Sequence, residues 1–134
     1  MKTITFDVPG DPVPQPRARI STRGGFGRAY VPQKHPVHSY RRAIAFEAMN
    51  AGATPGRGPV SVVIDAVFVR PKYHKTKKGL KVSAPELPRQ DVDNVAKAVL
   101  DALNGIAWVD DTQVQRLVVE KSYGTEGRTT VRIS

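Results

Sequence analysis

One ten-residue segment constrains the fold more than any other part of this sequence. Residues 60–69 read VSVVIDAVFV, a run of β-branched and aromatic residues with Pro59 before it and Pro71 after it. β-Branched side chains favour extended backbone, and proline ends regular structure on both sides. The segment is therefore predicted to be a well-buried strand.

Further elements are predicted on both sides of this strand. Residues 3–8 alternate between apolar and polar side chains, and residues 114–123 and 128–133 read as two final strands. One helix is predicted over residues 35–50, and a second begins at Asp93 or Asn94 and ends at Gly105. Ala96, Val99, Leu100 and Leu103 form the predicted buried face of the second helix. This order predicts a single α/β (α+β) domain over residues 1–134, with a mixed sheet of about four strands packed by two helices.

Two segments are rich in basic residues and show no periodic pattern of apolar residues. Residues 9–34 combine proline, glycine and arginine, and residues 71–89 contain a lysine-rich stretch, so both are predicted to be long loops. A structureless loop of about 25 residues is uncommon in a compact domain and is usually functional. Lysine runs also occur in loops that are simply solvated. The basic residues of these segments are candidates to contact the phosphates of a polyanion: Arg17, Arg19, Arg28, Lys75, Lys77, Lys78 and Arg89.

The net charge of the chain indicates what kind of molecule it binds. The 134 residues include 21 Lys and Arg against 12 Asp and Glu, a formal net charge of +9. A polyanion is the usual partner of such a chain, nucleic acid first and an anionic membrane second. The absence of cysteine excludes disulfides and thiol nucleophiles, and no stretch approaches the roughly 20 apolar residues of a membrane span. We therefore expect a soluble, cytoplasmic chain that does not enter a membrane.

The acidic residues are concentrated in one region of this basic chain. Five of the eight aspartates lie in a short window: Asp91, Asp93, Asp101, Asp110 and Asp111. Asp91 and Asp93 are two apart on what is expected to be an extended approach to the second helix, so both can face one side. Asp93, Lys97 and Asp101 are four apart and are expected to share a polar stripe of the helix.

Carboxylates gathered in this way can hold a hard metal ion. Mg²⁺ and Mn²⁺ prefer oxygen ligands and keep positions for water and substrate phosphate. Such an ion activates a water and neutralises charge on a phosphodiester, while Lys97 can stabilise the developing negative charge. Each residue also has a purely structural interpretation, as an N-cap, an i, i+4 surface pair or a turn. Their combination in a chain of net charge +9 favours a metal-dependent nuclease.

The motif itself resembles a known family. DVDNVAKAVLDALNG at residues 91–105 and WVDDTQV at residues 108–114 resemble the RusA family of Holliday junction resolvases, whose signature is D-x-D-N-x-x-K-x-x-x-D-x-L followed by D-D-x-Q-V. PVPQPRARIS and RAYVPQK, nearer the N-terminus, are similar to phage and prophage members. One departure is Gln90, where many relatives have proline before the first aspartate.

The resemblance implies a set of roles and partners. It implies that Asp91, Asp93 and Asp111 bind metal, that Lys97 is the catalytic lysine, and that Asp101 and Asp110 are supporting acids. It further implies a homodimer that uses Mg²⁺, with Mn²⁺ as a substitute, to nick four-way DNA junctions symmetrically in recombination and repair. Such a protein works in the cytoplasm of a bacterial or phage-infected cell. A two-fold axis suits two nicks of opposite polarity.

Other functions are compatible with the same residues. A basic nucleic-acid-binding module without catalysis is one alternative, and a metal nuclease for flap or duplex substrates is another. The glycine-rich RGGFGR lacks the ending of a P-loop, so no nucleotide cofactor is expected. Phe26 or Tyr30 is a candidate for stacking on bases. Trp108 is expected to be an apolar anchor that fixes the turn carrying Asp110 and Asp111.

Overall fold

A four-stranded mixed sheet and two helices form the body of the protein. The computed structural model describes residues 3–134. The helices are α1 (Pro36–Asn50) and α2 (Val92–Leu103). The strands are β1 (Ile4–Pro9), β2 (Arg19–Ser21), β3 (Arg28–Tyr30), β4 (Val60–Val69), β5 (Lys75–Thr76), β6 (Gly79–Leu80), β7 (Val114–Gly124) and β8 (Arg128–Ile133). The predicted fold class, a mixed sheet of four strands with two helices, is confirmed.

The β-branched segment is an interior strand of the main sheet. The strand order is β1-β8-β4-β7, so β4 has a neighbour on each side. It pairs parallel with β7 and antiparallel with β8. Alternate β4 side chains from Val60 to Phe68 are buried, and those between them are half-buried. The alternation is the period of two that a strand imposes on its side chains.

The first helix is fixed by its N-cap and by a buried tyrosine. Pro36 is the first helical residue, and the His35 ring Nδ1 accepts a hydrogen bond from the Val37 N–H at 3.0 Å. The helix buries Val37, Ile44 and other apolar side chains. Tyr40 forms a hydrogen bond with the Thr129 hydroxyl, which joins the helix to β8. Burial raises the pKa of Tyr40 to about 12. The hydrogen bond with Thr129 acts in the opposite direction and is the smaller effect.

The second helix begins earlier than the sequence predicts. Its N-cap is Asp91, so Asp93 lies inside the first turn and the prediction of a cap at Asp93 or Asn94 is wrong. The Asp91 side chain makes no capping hydrogen bond. Carboxylates near a helix N-terminus interact favourably with the helix dipole even without capping it. Gly105 has the predicted positive φ, 78°, but the C-cap of the helix is Asn104, one residue before it.

The last two strands follow each other along the chain but are not neighbours in the sheet. β7 pairs with β4, while β8 lies between β1 and β4. Parallel strands need a crossover connection, and α2 lies in the crossover between β4 and β7. The segment from Gly124 to Gly127 therefore carries the chain across the end of β4.

The two basic loops contain short hairpins. In the first, β2 and β3 pair antiparallel around a turn in which Gly24 and Gly25 have positive φ. In the second, β5 pairs with β6. The prediction that residues 9–34 are structureless is therefore wrong, because glycine at the tip lets the chain reverse between two three-residue strands. Phe26 is exposed in this hairpin.

No helix within residues 3–134 is long and apolar enough to span a membrane.

We expect Gly127 to be important for stability, because it packs directly against the backbone of Asp11. A Cβ atom at Gly127 would collide with the backbone of Asp11, and the Gly10 N–H donates to the Gly127 carbonyl at 3.0 Å. Gly127→Ala should lower the free energy of unfolding by about 1–3 kcal/mol, because the backbone itself must shift. Denaturant titration measures the loss. The control is Gly56→Ala, since a Cβ at Gly56 has nothing within 4 Å. Equal stability of the two variants would contradict the packing described here.

Candidate active site

Three charged residues project from successive turns of α2. Asp93, Lys97 and Asp101 are exposed and line one side of a shallow hollow of about 320 Å³. Asp111, from the turn that follows the helix, lines the same hollow. The polar stripe predicted from the spacing of four is confirmed. We call this surface the α2 hollow.

Asp111 is held in place by the indole of Trp108. The Trp108 side chain is 0% exposed, and its Nε1–H donates to Asp111 Oδ1 at 2.8 Å. Bonds from N–H donors to carboxylates are stronger than bonds between neutral groups. The expectation that Trp108 anchors this turn is confirmed, and the structure adds the hydrogen bond. One oxygen of Asp111 is used in this way, which leaves the other for a ligand.

Gln113 clamps the same turn, a role that the sequence analysis missed. Its Oε1 accepts from the N–H groups of Val109 and Asp110, at 2.8 and 3.0 Å. Its Nε2 donates to the carbonyls of Gly56 and Gly58, both at 2.9 Å. The spacing of aspartate at 110 and glutamine at 113 is that of a capping box, which was the available signal.

The two supporting acids already have partners within the protein. Asp101 Oδ2 lies 3.7 Å from Arg41 Nη1 of α1, the one ion pair found within residues 3–134. Arg41 also donates to Gln15 Oε1 at 3.3 Å. Asp110 Oδ2 accepts from the Thr112 hydroxyl at 3.2 Å. These contacts give Asp101 and Asp110 structural roles beside the α2 hollow.

Asp91 lines a different hollow from Asp93. Asp91, Arg89 and Asn94 border a hollow of about 630 Å³ that is also lined by residues 13–16. The Gln15 N–H donates to the Asn94 carbonyl at 2.9 Å and holds that segment against α2. Asp93 lies in the helix and not in an extended segment. The expectation that Asp91 and Asp93 face the same side, as alternate residues of an extended chain do, therefore does not hold. Positions i and i+2 of a helix do not face each other. We call this surface the Asp91 hollow.

The donor atoms suit a hard divalent cation. Asp93 and Asp111 offer carboxylate oxygens on the α2 hollow, and Mg²⁺ is usually bound by one or two carboxylates plus water and phosphate. Within residues 3–134, however, no three carboxylate or imidazole groups are gathered closely enough to enclose a metal ion. The residues therefore fit an open site that substrate completes, and all three predicted ligands, Asp91, Asp93 and Asp111, remain predictions.

The predicted DNA contacts lie on exposed surface. The seven side chains are exposed, and none takes part in the ion pair described above. They belong to or adjoin the β2–β3 hairpin, the β5–β6 hairpin and the approach to α2: Arg17, Arg19, Arg28, Lys75, Lys77, Lys78 and Arg89. Their positive charges are thus available to phosphates, and their role in DNA binding remains a prediction.

Comparison with known proteins identifies relatives of this chain. The family model described as endodeoxyribonuclease RusA matches residues 9–134. The chain is also 35% identical to the uncharacterized protein YqaN of Bacillus subtilis, over 99% of this chain and 96% of that protein. The match includes α2, the turn after it and the β2–β3 hairpin.

Removal of the glutamine clamp should loosen the turn that carries Asp111. Gln113→Ala leaves two carbonyls and two N–H groups without their partners, so we expect a loss of about 1–3 kcal/mol in the free energy of unfolding. We also expect slower DNA cleavage. Gln115→Ala, an exposed glutamine two residues further on, is the matched control and should change neither. A Gln113→Ala variant as stable and active as the control would show that the clamp is unimportant.

Proposed function

The chain belongs to the RusA family of endodeoxyribonucleases, and from this premise we propose that it resolves four-way DNA junctions by paired, metal-dependent nicks. Family membership supports a nuclease that binds Holliday junctions and acts in DNA recombination. The observation that carries the proposal is the α2 hollow, where Asp93, Lys97 and Asp111 meet within the matched region. We propose a role in repair, and the cytoplasm as the place of action, on the same basis.

Asp93 and Asp111 are the proposed metal ligands of the α2 hollow, with Asp91 as the third. Their carboxylates would hold Mg²⁺, or Mn²⁺ in its place. When bound, such an ion supplies an activated water and neutralises charge on the scissile phosphate. The indole N–H of Trp108 leaves only one Asp111 oxygen unbonded and so fixes the direction from which Asp111 can bind.

Lys97 is the proposed partner of the scissile phosphate. It is exposed and lies one helical turn from each of Asp93 and Asp101 on the wall of the α2 hollow. Its ammonium can therefore approach a phosphate oxygen held beside the carboxylates. Negative charge that develops on that oxygen during attack would be stabilised by the ammonium.

Positive charge outside the hollow is the proposed means of holding DNA. The five aspartates of the acidic window would repel DNA if they acted alone, but the chain has nine more basic than acidic groups. The hairpins that carry the exposed arginines and lysines would bind phosphates without reading sequence. Two nicks related by symmetry call for two sites, so we propose a homodimer as the active form.

A cleavage assay tests the proposal directly. An end-labelled four-way junction and the matching linear duplex are incubated with the protein in Mg²⁺, Mn²⁺ or EDTA, and the products are mapped on a denaturing gel. Paired symmetric nicks in the junction alone, lost in EDTA, are expected. Cleavage of both substrates, or of a flap in preference to the junction, would contradict the junction assignment. Binding without cleavage under any metal would identify a non-catalytic module.

Neutral substitutions should separate cleavage from binding. Asp93→Asn and Asp111→Asn should abolish junction nicking but leave junction affinity unchanged or tighter, because a carboxylate that repels DNA is removed. Lys97→Met should slow nicking by roughly 100-fold or more without changing the metal concentration at half-maximal rate. Glu126→Gln, an exposed acid outside the hollow, is the control. Nicking by Asp93→Asn at the rate of this control would refute the proposed ligand set.

A further inference from the structure

A second, more enclosed cavity lies at the carboxyl ends of β4 and β7. It has a volume of about 270 Å³ and is bordered by the last residues of both strands. Its aromatic wall consists of Phe68, Tyr73, His74 and Tyr123, and its polar residues include Asp11 and Arg89. The crevice outside the carboxyl ends of parallel strands is a common place for ligands. We call it the aromatic cavity.

His74 is the unusual residue of this cavity. Its side chain is only 7% exposed, and its Nδ1 is the one enclosed side-chain polar atom without a hydrogen-bond partner within residues 3–134. The main chain fixes its position, since the His74 N–H donates to Pro71 and the His74 carbonyl accepts from Lys81. A buried polar group without a partner is destabilising and calls for an explanation. Because the ring lines the cavity, a molecule bound there would lie against the His74 side chain.

The aromatic wall has faces and edges suited to a planar ligand. The His74 ring meets Tyr73 and Tyr123 nearly at right angles, with centroids 4.7 and 5.8 Å apart. The Arg70 guanidinium covers the Tyr123 ring at 4.2 Å and donates to the Pro85 carbonyl, so its own place is fixed. Tyr73 is 70% exposed and therefore presents an open ring at the edge of the cavity.

Polar groups at the edge of the cavity add hydrogen-bonding capacity. Asp11 Oδ1 accepts from the Val69 N–H at 3.0 Å, which holds the carboxylate at the end of β4. Its other oxygen can accept from an amino or imino group of a ligand. Arg89 offers donors and positive charge from the other side. A purely apolar ligand would leave these groups unsatisfied.

The aromatic cavity adjoins the Asp91 hollow. Arg89 and Gln90 border both this cavity and the Asp91 hollow. Lys121 Nζ donates to the Gln90 carbonyl at 2.9 Å, which ties β7 to the segment between the two. A ligand in the cavity would therefore lie beside the chain that leads directly to Asp91.

We propose that the aromatic cavity binds a single unpaired nucleobase of the DNA substrate. A base is planar, can stack on aromatic rings and carries hydrogen-bonding groups on its edge. The cavity volume of about 270 Å³ is just below the range of about 300–1,000 Å³ for drug-sized ligands, which suits one base rather than a whole nucleotide. Enzymes that act on DNA commonly hold a base outside the stack in such a pocket. The inference rests on the proposed function for the source of the unpaired base, at the branch point beside the scissile phosphate.

Histidine NMR signals provide a test that does not depend on cleavage. The chain has three histidines, and His35 lines the Asp91 hollow while His74 lines the aromatic cavity. The full-length protein, with labelled histidine rings and in EDTA, is titrated with each of the four deoxynucleoside 5′-monophosphates and, separately, with 2-deoxyribose 5-phosphate. We expect saturable shifts of the His74 signals with at least one nucleotide and none with the sugar phosphate. Shifts confined to His35, equal shifts with the sugar phosphate, or no shift at all would overturn the proposal.

Two variants localise the binding to the cavity. Tyr73→Ala removes an exposed stacking ring and should weaken the nucleotide that binds best by about fivefold or more. Phe46→Ala removes a comparably exposed ring, 58% exposed on α1 and outside the cavity, and should leave that affinity unchanged. Equal effects of the two variants would contradict base stacking at Tyr73.

The two proposals can fail separately. If the protein nicks junctions while nucleotides leave the His74 signals unchanged, the base site is wrong and the resolvase assignment remains. If nucleotides shift His74 but no junction is nicked, the base site is supported and the resolvase assignment is wrong.

Discussion

The parallel pairing of β4 with β7 determines where every proposed catalytic residue lies. Parallel neighbours cannot be joined by a tight turn, so the chain must cross the sheet between them. That crossover, residues 70–113, contains the second basic hairpin, α2 and the turn of Asp111. All five aspartates of the acidic window therefore lie in one connection. Its ends are held by a ladder that runs the length of β4, so a rigid sheet supports the groups that would perform the chemistry.

Hydrogen bonds from two side chains fix the position of the turn that carries Asp111. Trp108 is buried in the core and bonds to Asp111, while Gln113 ties the same turn to the chain before β4. On the helix, the ion pair between Arg41 and Asp101 joins α2 to α1. Carboxylates that approach one another repel, so their positions must be fixed by other contacts. These contacts supply that restraint without using the exposed side chains of Asp93 and Lys97.

The features that depend on local sequence pattern could be predicted from the sequence. The β-branched run, the apolar face of α2 and the spacing of its charged residues each follow from a period, and the structure confirms them. Contacts between distant segments carry no such signal. The pairing of Arg41 with Asp101 depends on how two helices pack, and the enclosure of His74 depends on a loop folding over the end of the sheet. The β2–β3 hairpin was missed because three-residue strands are too short to show a period, and the α2 cap was misplaced by two residues because several aspartates were equally suitable.

We propose that Asp93 and Asp111 form an open site for a divalent cation, with Asp91 as the third ligand. The most direct measurement is the broadening of backbone amide NMR signals when a small amount of paramagnetic Mn²⁺ is added to the isotopically labelled protein. The account predicts selective broadening at the start of α2 and in residues 110–113, reversed by excess Mg²⁺ and lost in Asp93→Asn. Broadening centred on another part of the chain, or no selective broadening at all, would contradict it.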